Sequence, residues 1–341
     1  MAFKNIKGNV RGSNFFGFNI SGKPIQHHSS EFNKPEPIVF FNASGGSVNV
    51  VNQTTYFVFR GLGDFNFTSA DPSITSVDIL AIAGGGGPGP YYYTGGGGAG
   101  GLVYVTDFPI SLIPVGPNTV TVGAGGANLA SGDDTTIFGL TAKGGGQGGG
   151  PGSAAPSGGS GGGGSMYTPS AAGSATQPGT PQTYGDGTLV YNAGYPGGAG
   201  ANYPPGQSSG GGGGGAGSSG APEASGAHGG KGILFPEYTS TQHPNLPSTG
   251  GFAGGGGGGS YTVSQAIYGG FHPGGPADED YGAGNGGYFD QPWVNDVSGR
   301  ENTGGGAGGV YSPNPLVNGG SGIVVIRVIG ANRGSIPGPG S

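Results

Sequence analysis

Residues 77–87 read Val77-Asp78-Ile79-Leu80-Ala81-Ile82-Ala83-Gly84-Gly85-Gly86-Gly87. The first seven residues are a short apolar segment of strand character. It ends abruptly in four glycines, with Pro88 and Pro90 just beyond. No helix starts here, because Gly costs roughly 0.8–1 kcal/mol and Pro roughly 3 kcal/mol per helical position relative to Ala. The strand-then-glycine pattern recurs outward from this point. Leu102-Val103-Tyr104-Val105, Thr119 to Val122 and Ile137 to Ala142 are similar short segments bounded by glycine. Ile323-Val324-Val325-Ile326-Arg327-Val328-Ile329 supplies a matching strand far downstream, and its pairing with 77–83 would bracket everything between them into one unit.

The composition of the whole chain agrees. Of 341 residues, 88 are Gly and 28 are Pro, about a third in total against a usual ~12%. Apolar residues reach 33% and charged residues 8%, which excludes both a large conventional core and charge-driven disorder. Helix bundle, coiled coil and regular α/β enzyme are excluded together. Collagen is excluded because Gly254 to Gly259 and similar blocks are runs, where collagen needs every third position. Cysteine is absent, so there is no disulfide framework and no thiolate metal site. No apolar run approaches the ~20 residues of a membrane span, and the N-terminus lacks the h-region of a secretory signal.

Glycine tracts recur at 84–87, 95–101, 123–126, 144–150, 158–164, 197–200, 210–217, 254–259, 282–287 and 304–309. Their spacing is irregular, unlike that of a solenoid. Such tracts are either flexible linker or three-residue-per-turn helices without internal hydrogen bonds, whose outward N–H and C=O groups join bare backbones side by side. The intervals decide for order, since they hold aromatics and prolines where a linker is uniformly polar. The fold expected is mostly β and irregular with almost no α-helix: a small β module, then a β-framed sandwich of packed polyglycine helices. The segments are 1–34, an irregular anchoring stretch; 35–76, the β module, with strand-like runs at 38–41, 48–51 and 56–59; 77–330, the glycine-rich domain; and 331–341, a tail. Within 77–330 the β frame is 77–143 and 319–330, and the helix array with its loops is 144–318.

Residues 1–60 carry six basic and two acidic residues, a balance of +4, while the remainder carries five basic and fifteen acidic, a balance of −10. The acidic body disfavours nucleic acid. Gly84 to Gly89 formally satisfies G-x-G-x-x-G, with Asp107 eighteen residues on, but the helix that must receive a pyrophosphate is forbidden by the prolines. Gly230-Lys231 is followed by Gly232, so no phosphate-binding P-loop exists. His27, His28, His228, His243 and His272 have no rigid catalytic partner in sequence, and Asp278-Glu279-Asp280 lacks the ligand alternation of a calcium loop. No catalytic residue, metal site or cofactor is expected.

Val77 to Gly87, Gly95 to Tyr104, Thr119 to Gly126, Leu140 to Gly146, the many glycine blocks and Gly319 to Val328 together resemble the glycine-rich domain of phage tail-fibre and tail-associated proteins. The chain is also similar to glycine-rich receptor-binding adhesins at phage fibre tips. That resemblance implies a virion structural protein, made in the host cytoplasm, whose tracts are scaffold and whose loops touch the host. The implied receptor is an outer-membrane protein or a surface glycan. Other tail or fibre proteins would dock through the N-terminal region, with homo-oligomers among the assemblies allowed. Tyr91, Tyr92, Tyr93, Tyr191, Tyr195, Tyr203, Tyr238, His243, Tyr268, His272, Tyr281 and Trp293 are the expected receptor-binding loop residues, gathered into clusters at the two ends of the sandwich. The alternatives are an extracellular matrix or filament subunit joined through glycine helices, and a glycan-cleaving depolymerase.

Overall fold

The computed structural model describes residues 39–92, 94–127, 129–166, 170–177, 182–183, 189–200, 209–222, 227–259, 281–286, 297–310 and 317–330. The chain divides into Met1–Ile38 and Val39–Ser341. The expected anchoring segment 1–34 and tail 331–341 lie outside the described residues. The described strands are β1 (Phe41–Ser44), β2 (Ser47–Val51), β3 (Thr54–Phe59), β4 (Gly63–Ala70), β5 (Ser76–Ile82), β6 (Leu102–Pro109), β7 (Gly116–Val120), β8 (Thr135–Ile137), β9 (Leu140–Ala142), β10 (Gln182–Thr183), β11 (Leu189–Ala193), β12 (Ile233–Leu234), β13 (Gly251–Phe252) and β14 (Ile323–Ile329). One short 3-10 turn, Ile110–Leu112, follows β6.

A seven-stranded antiparallel sheet in the order β10-β11-β6-β5-β14-β3-β2 is the spine. Its strands are apolar on both faces because both faces are covered. On one face Phe57, Phe59, Ile79, Val103, Val105, Val324 and Ile326 pack against the three-stranded sheet β1-β4-β7, which contributes Phe41, Phe65 and Phe67. On the other, Tyr56, Leu80, Ile82, Leu102, Ile323 and Val325 are covered by Phe235, Tyr238, Leu246 and Phe252 from the 233–252 segment. The expected pairing of 77–83 with 323–329 is present, in the register Ile323↔Ile82 to Arg327↔Asp78.

Residues 39–76 do not stand apart as a separate module. β3 pairs with β14, from Val324↔Phe59 to Ile329↔Thr54, so the early hairpin extends the same sheet. A lone hairpin buries too little to be stable by itself. The chain passes from one sheet to the other at Gly45 (φ +124°) and Gly46 (φ +57°). A Cβ on Gly45 would fall on the carbonyl oxygen of Asp64, so this crossing requires glycine.

Beyond the sheets the glycine tracts are buried and hydrogen-bonded to one another, and in 144–318 the described residues hold only the short strands β10 to β13. The tract 94–101 shows the geometry. The amides of Gly96, Gly97 and Gly98 donate to Gly211, Ala307 and Gly146, and those of Ala99, Gly100 and Gly101 donate to Gly214, Gly304 and Lys143, all at 2.7–3.1 Å. The partner tract therefore repeats every third residue, which is the turn of a polyproline II-type helix. Its carbonyls accept from three further tracts, through Gly163 and Ser160, Gly256 and Gly259, and Gly86 and Ala83. The tract thus has six neighbours, three taking its amides and three its carbonyls. A Cβ at Gly96, Gly97 or Gly98 would fall on the carbonyl oxygen of Gly256, Gly86 or Ser160. Methyls are taken in at Ala99, Ala216, Ala253 and Ala307, all fully buried.

Candidate functional site

Strand direction gives the sandwich two ends. β5 runs from Ser76 to Ile82 and continues directly into the tract beginning at Gly84, so Ser76 stands at the base and the tract leads away from it. The described chain enters at this base, where Asp71 N–H donates to the Phe40 carbonyl, and it leaves there after Ile329, which pairs with Thr54. At the opposite end Thr94 N–H donates to the Val310 carbonyl, Gly149 N–H to Gly163, and Gly259 N–H to Thr94. These contacts align the tract ends at a common tip.

The expected receptor residues are divided by this polarity. Tyr91 and Tyr92 lie on the tip turn between 84–89 and 94–101, and are 64% and 48% exposed. Tyr191 is half-buried on β11 opposite Tyr104, and Tyr195 is half-buried where the chain leaves β11 for the array. Tyr238, His243 and Tyr281 are corrected: their rings are buried at 0%, 1% and 6% exposure. Tyr238 fills the second core face, edge-on to Tyr56 at 6.4 Å and to Tyr104 at 6.1 Å. Tyr281 packs over Gly232 and Gly254, where any Cβ would meet its ring or Cβ. Tyr238 and His243 lie between glycine tracts, where the sequence places surface loops, yet the 233–252 interval folds back onto the sheet as its cover; Tyr281 is buried against the tracts themselves. Tyr93, Tyr203, Tyr268, His272 and Trp293 lie outside the described residues, as does Asp278-Glu279-Asp280.

His243 belongs to a strap over the edge strand β2. Its Nδ1 accepts from the Asn245 amide at 3.1 Å, which makes Nε2 the protonated nitrogen, and Nε2 donates to the Ser47 carbonyl at 3.2 Å. Asn49 Nδ2 donates to the Gln242 carbonyl beside it. Burial holds the imidazole pKa below its ordinary value, outweighing the bond to Ser47.

Sequence reasoning passed over a charged group within the sheet. Arg327 Nε lies 3.1 Å from Asp78 Oδ2, with a more distant guanidinium contact of 3.8 Å to Glu237, and its Cζ stands 5.5 Å from the Tyr238 ring centre. Tyr104 Oη donates to Glu237 Oε1 at 3.3 Å. The Asp107 amide donates to Asp78 Oδ1 at 3.1 Å, across a bulge in the β5–β6 ladder. Burial holds the Asp78 carboxyl above its ordinary range despite the guanidinium, and pushes the Tyr104 phenol to about 12. A polar cleft of about 130 Å³ opens beside this group at the base, between Ser73 to Asp78, Asp107, Arg327 and Ile329. The signal was present in sequence, since Asp78 and Arg327 each interrupt an otherwise apolar strand.

The charged residues of the described tracts lie toward the sheet. Asp133, Asp134, Lys143, Lys231, Arg300 and Glu301 stand at the sheet-side ends of their tracts, near Gly84, Gly101, Gly217 and Gly282. Among the described residues the half of the array beyond Ala99 holds no Asp, Glu, Lys or Arg.

The strand-framed glycine array from the β4 edge to the end of β14 matches a known family, described as a glycine-rich domain, over residues 62–329. The chain belongs to that glycine-rich domain family. The match begins inside what composition alone set aside as a separate β module, in agreement with the shared sheet. Comparison with curated proteins gives no match. No helix among the described residues is long and apolar enough to cross a membrane.

Proposed function

We propose that this glycine-rich domain protein is a non-enzymatic structural protein of a phage virion, a tail fibre or receptor-binding adhesin, that meets the host cell surface with the tips of its polyglycine array. The polarity of the sandwich carries this reading. The described chain enters and leaves at the base, and the tracts end together at the other pole with Tyr91 and Tyr92 exposed. A body held at one end and reading a surface with the other needs this arrangement, and six-neighbour packing gives it stiffness. The base and the N-terminal residues before it would dock on other tail or fibre proteins. The receptor would be an outer-membrane protein or a surface glycan.

Labelled antibody against the chain, applied to purified particles of the source phage, is expected to decorate the tail or its fibres. Purified chain should also compete with the particle for adsorption to host cells. Recovery of the chain in cell-surface filaments, with none on particles, would overturn the proposal and favour the matrix or filament alternative. Release of reducing sugar from host glycans would instead identify a depolymerase.

A further inference from the structure

The two central strands of the spine part at the base. Their ladder ends at Arg327↔Asp78, although β14 runs on to Ile329 against β3 and β5 begins at Ser76 against β6. The polar cleft of about 130 Å³ lies where they part, lined by residues of both strands and by Asp107 of β6. It is well below the roughly 300–1,000 Å³ of sites for drug-sized ligands, and it suits a single side chain. The described chain enters and leaves at this pole, so the cleft sits on the end by which the body is held.

The lining specifies the occupant. Arg327 is matched within it: Asp78 Oδ2 lies 3.1 Å from its Nε, and Glu237 stands 3.8 Å from the same guanidinium. Asp78 Oδ1 is taken by the Asp107 amide. Asp107 carries the remaining negative charge of the lining, and its side-chain partner is neutral, the Ser76 hydroxyl, which donates to Oδ1 at 3.1 Å. The bulge in the β5–β6 ladder places this exposed carboxylate on the cleft, as bulges commonly re-aim a side chain. Ile329, 59% exposed, supplies an apolar wall. A carboxylate beside an apolar wall matches an alkylammonium, whose methylenes cover the wall while its charge meets the acid. With Oδ1 engaged, one carboxylate oxygen is open, which suits the point charge of lysine better than the two-pronged fork of arginine. A divalent metal would need six or more oxygens and would meet the Arg327 guanidinium in the same lining. We infer that this cleft takes a lysine side chain from the tail or fibre protein on which the base docks. The inference rests on the adhesin reading and gives its docking partner a chemical feature.

The test treats purified particles carrying the full chain with a carbodiimide, which joins carboxylates to amines in direct contact, and maps the chymotryptic peptide 105–108 by mass spectrometry. A cross-link from Asp107 to a lysine of another particle protein is expected. Asp107→Asn keeps an acceptor for Ser76 and tolerates the same left-handed backbone (φ +57°). It should abolish that cross-link and lower the share of chain incorporated, in competition with the unaltered chain, at least tenfold, with an unchanged melting temperature. Replacing the coupled lysine of the partner by glutamine should reproduce the loss. Coupling of Asp107 only to lysines of this chain, within one copy or between copies, would overturn the inference and leave the adhesin reading in place. So would no coupling at Asp107, or full incorporation of the Asp107→Asn variant. Absence of the chain from the particles would overturn both.

Discussion

The amide of Gly97 donates to the carbonyl of Ala307 at 2.7 Å, but Ala307 does not return the bond: its own amide goes to Gly86 at 2.9 Å. Paired strands exchange bonds with one partner on each side, whereas here each residue along a tract serves a different neighbour. Neighbouring tracts are thus held by about one bond per turn each, and every tract is a junction for several others.

Gly256 sits at such a junction. Its amide donates to Gly97, its carbonyl accepts from Gly213, and a Cβ would strike the Ala307 carbonyl. Gly256→Val is expected to cost about 3 kcal/mol or more, because neither neighbouring backbone can withdraw without losing its own bonds. Ser240→Val, on an exposed turn, should change stability by less than about 0.5 kcal/mol. Melting curves of the two variants check this, and equal melting temperatures would speak against the sandwich.

Ser160 and Ser209 place buried hydroxyls in or beside tracts without a hydrogen-bond partner among the described residues. Ser160→Ala and Ser209→Ala remove an unpaired polar group and keep the Cβ, so each should leave stability unchanged or raise it by about 1 kcal/mol. Urea unfolding midpoints measure this. A loss above about 1 kcal/mol would mean that the hydroxyl is bonded in solution.

Arg327 and Asp78 should behave as a unit. Arg327→Met leaves the largely buried Asp78 without its guanidinium and should cost about 3 kcal/mol, while Arg327→Met/Asp78→Leu should recover most of that loss. The double-mutant cycle is the readout, and simple additivity would show that the pair is uncoupled.

His243 sets an acid limit. Its pKa is lower in the folded chain than the ordinary 6.5, so the unfolded chain takes up the proton first. The neutral-state stability is complete above about pH 6.5 and falls as the pH drops from there through the folded value. A proton on Nδ1 also opposes the Asn245 amide. His243→Gln should flatten this part of the pH–stability curve between pH 7 and 5, and an unaltered slope would remove His243 from the account.

Much of this architecture was legible in the chain. Val77 to Ala83 and Ile323 to Ile329 announced themselves as partners through apolar, β-branched composition, and the tracts through their lack of side chains. The small strands β12 and β13 were not legible, since two-residue ladders at Ile233 and Gly251 carry no periodicity. Nor was the Asn52-Gln53 turn, where both residues sit at positive φ (48° and 62°) without the usual glycine. The candidate site was half legible. Tyr91 and Tyr238 look alike in sequence, each a tyrosine between glycine tracts, and only the return of 233–252 onto the sheet separates an exposed ring from a buried one.

The rotating pattern of bonds also governs how the molecule is made. Thr94 is joined to Val310 across 216 positions of chain, and β5 receives its central partner only when β14 emerges. Contacts so remote in sequence make for slow folding. The array therefore closes only after β14 has left the ribosome, and that strand acts as its keystone. A body closed in this way opens slowly too, since no single tract can leave without releasing amides and carbonyls on several others. Its durability is then a matter of escape rate as much as of equilibrium, and truncation before Ile323 should leave a chain unable to complete its fold at all.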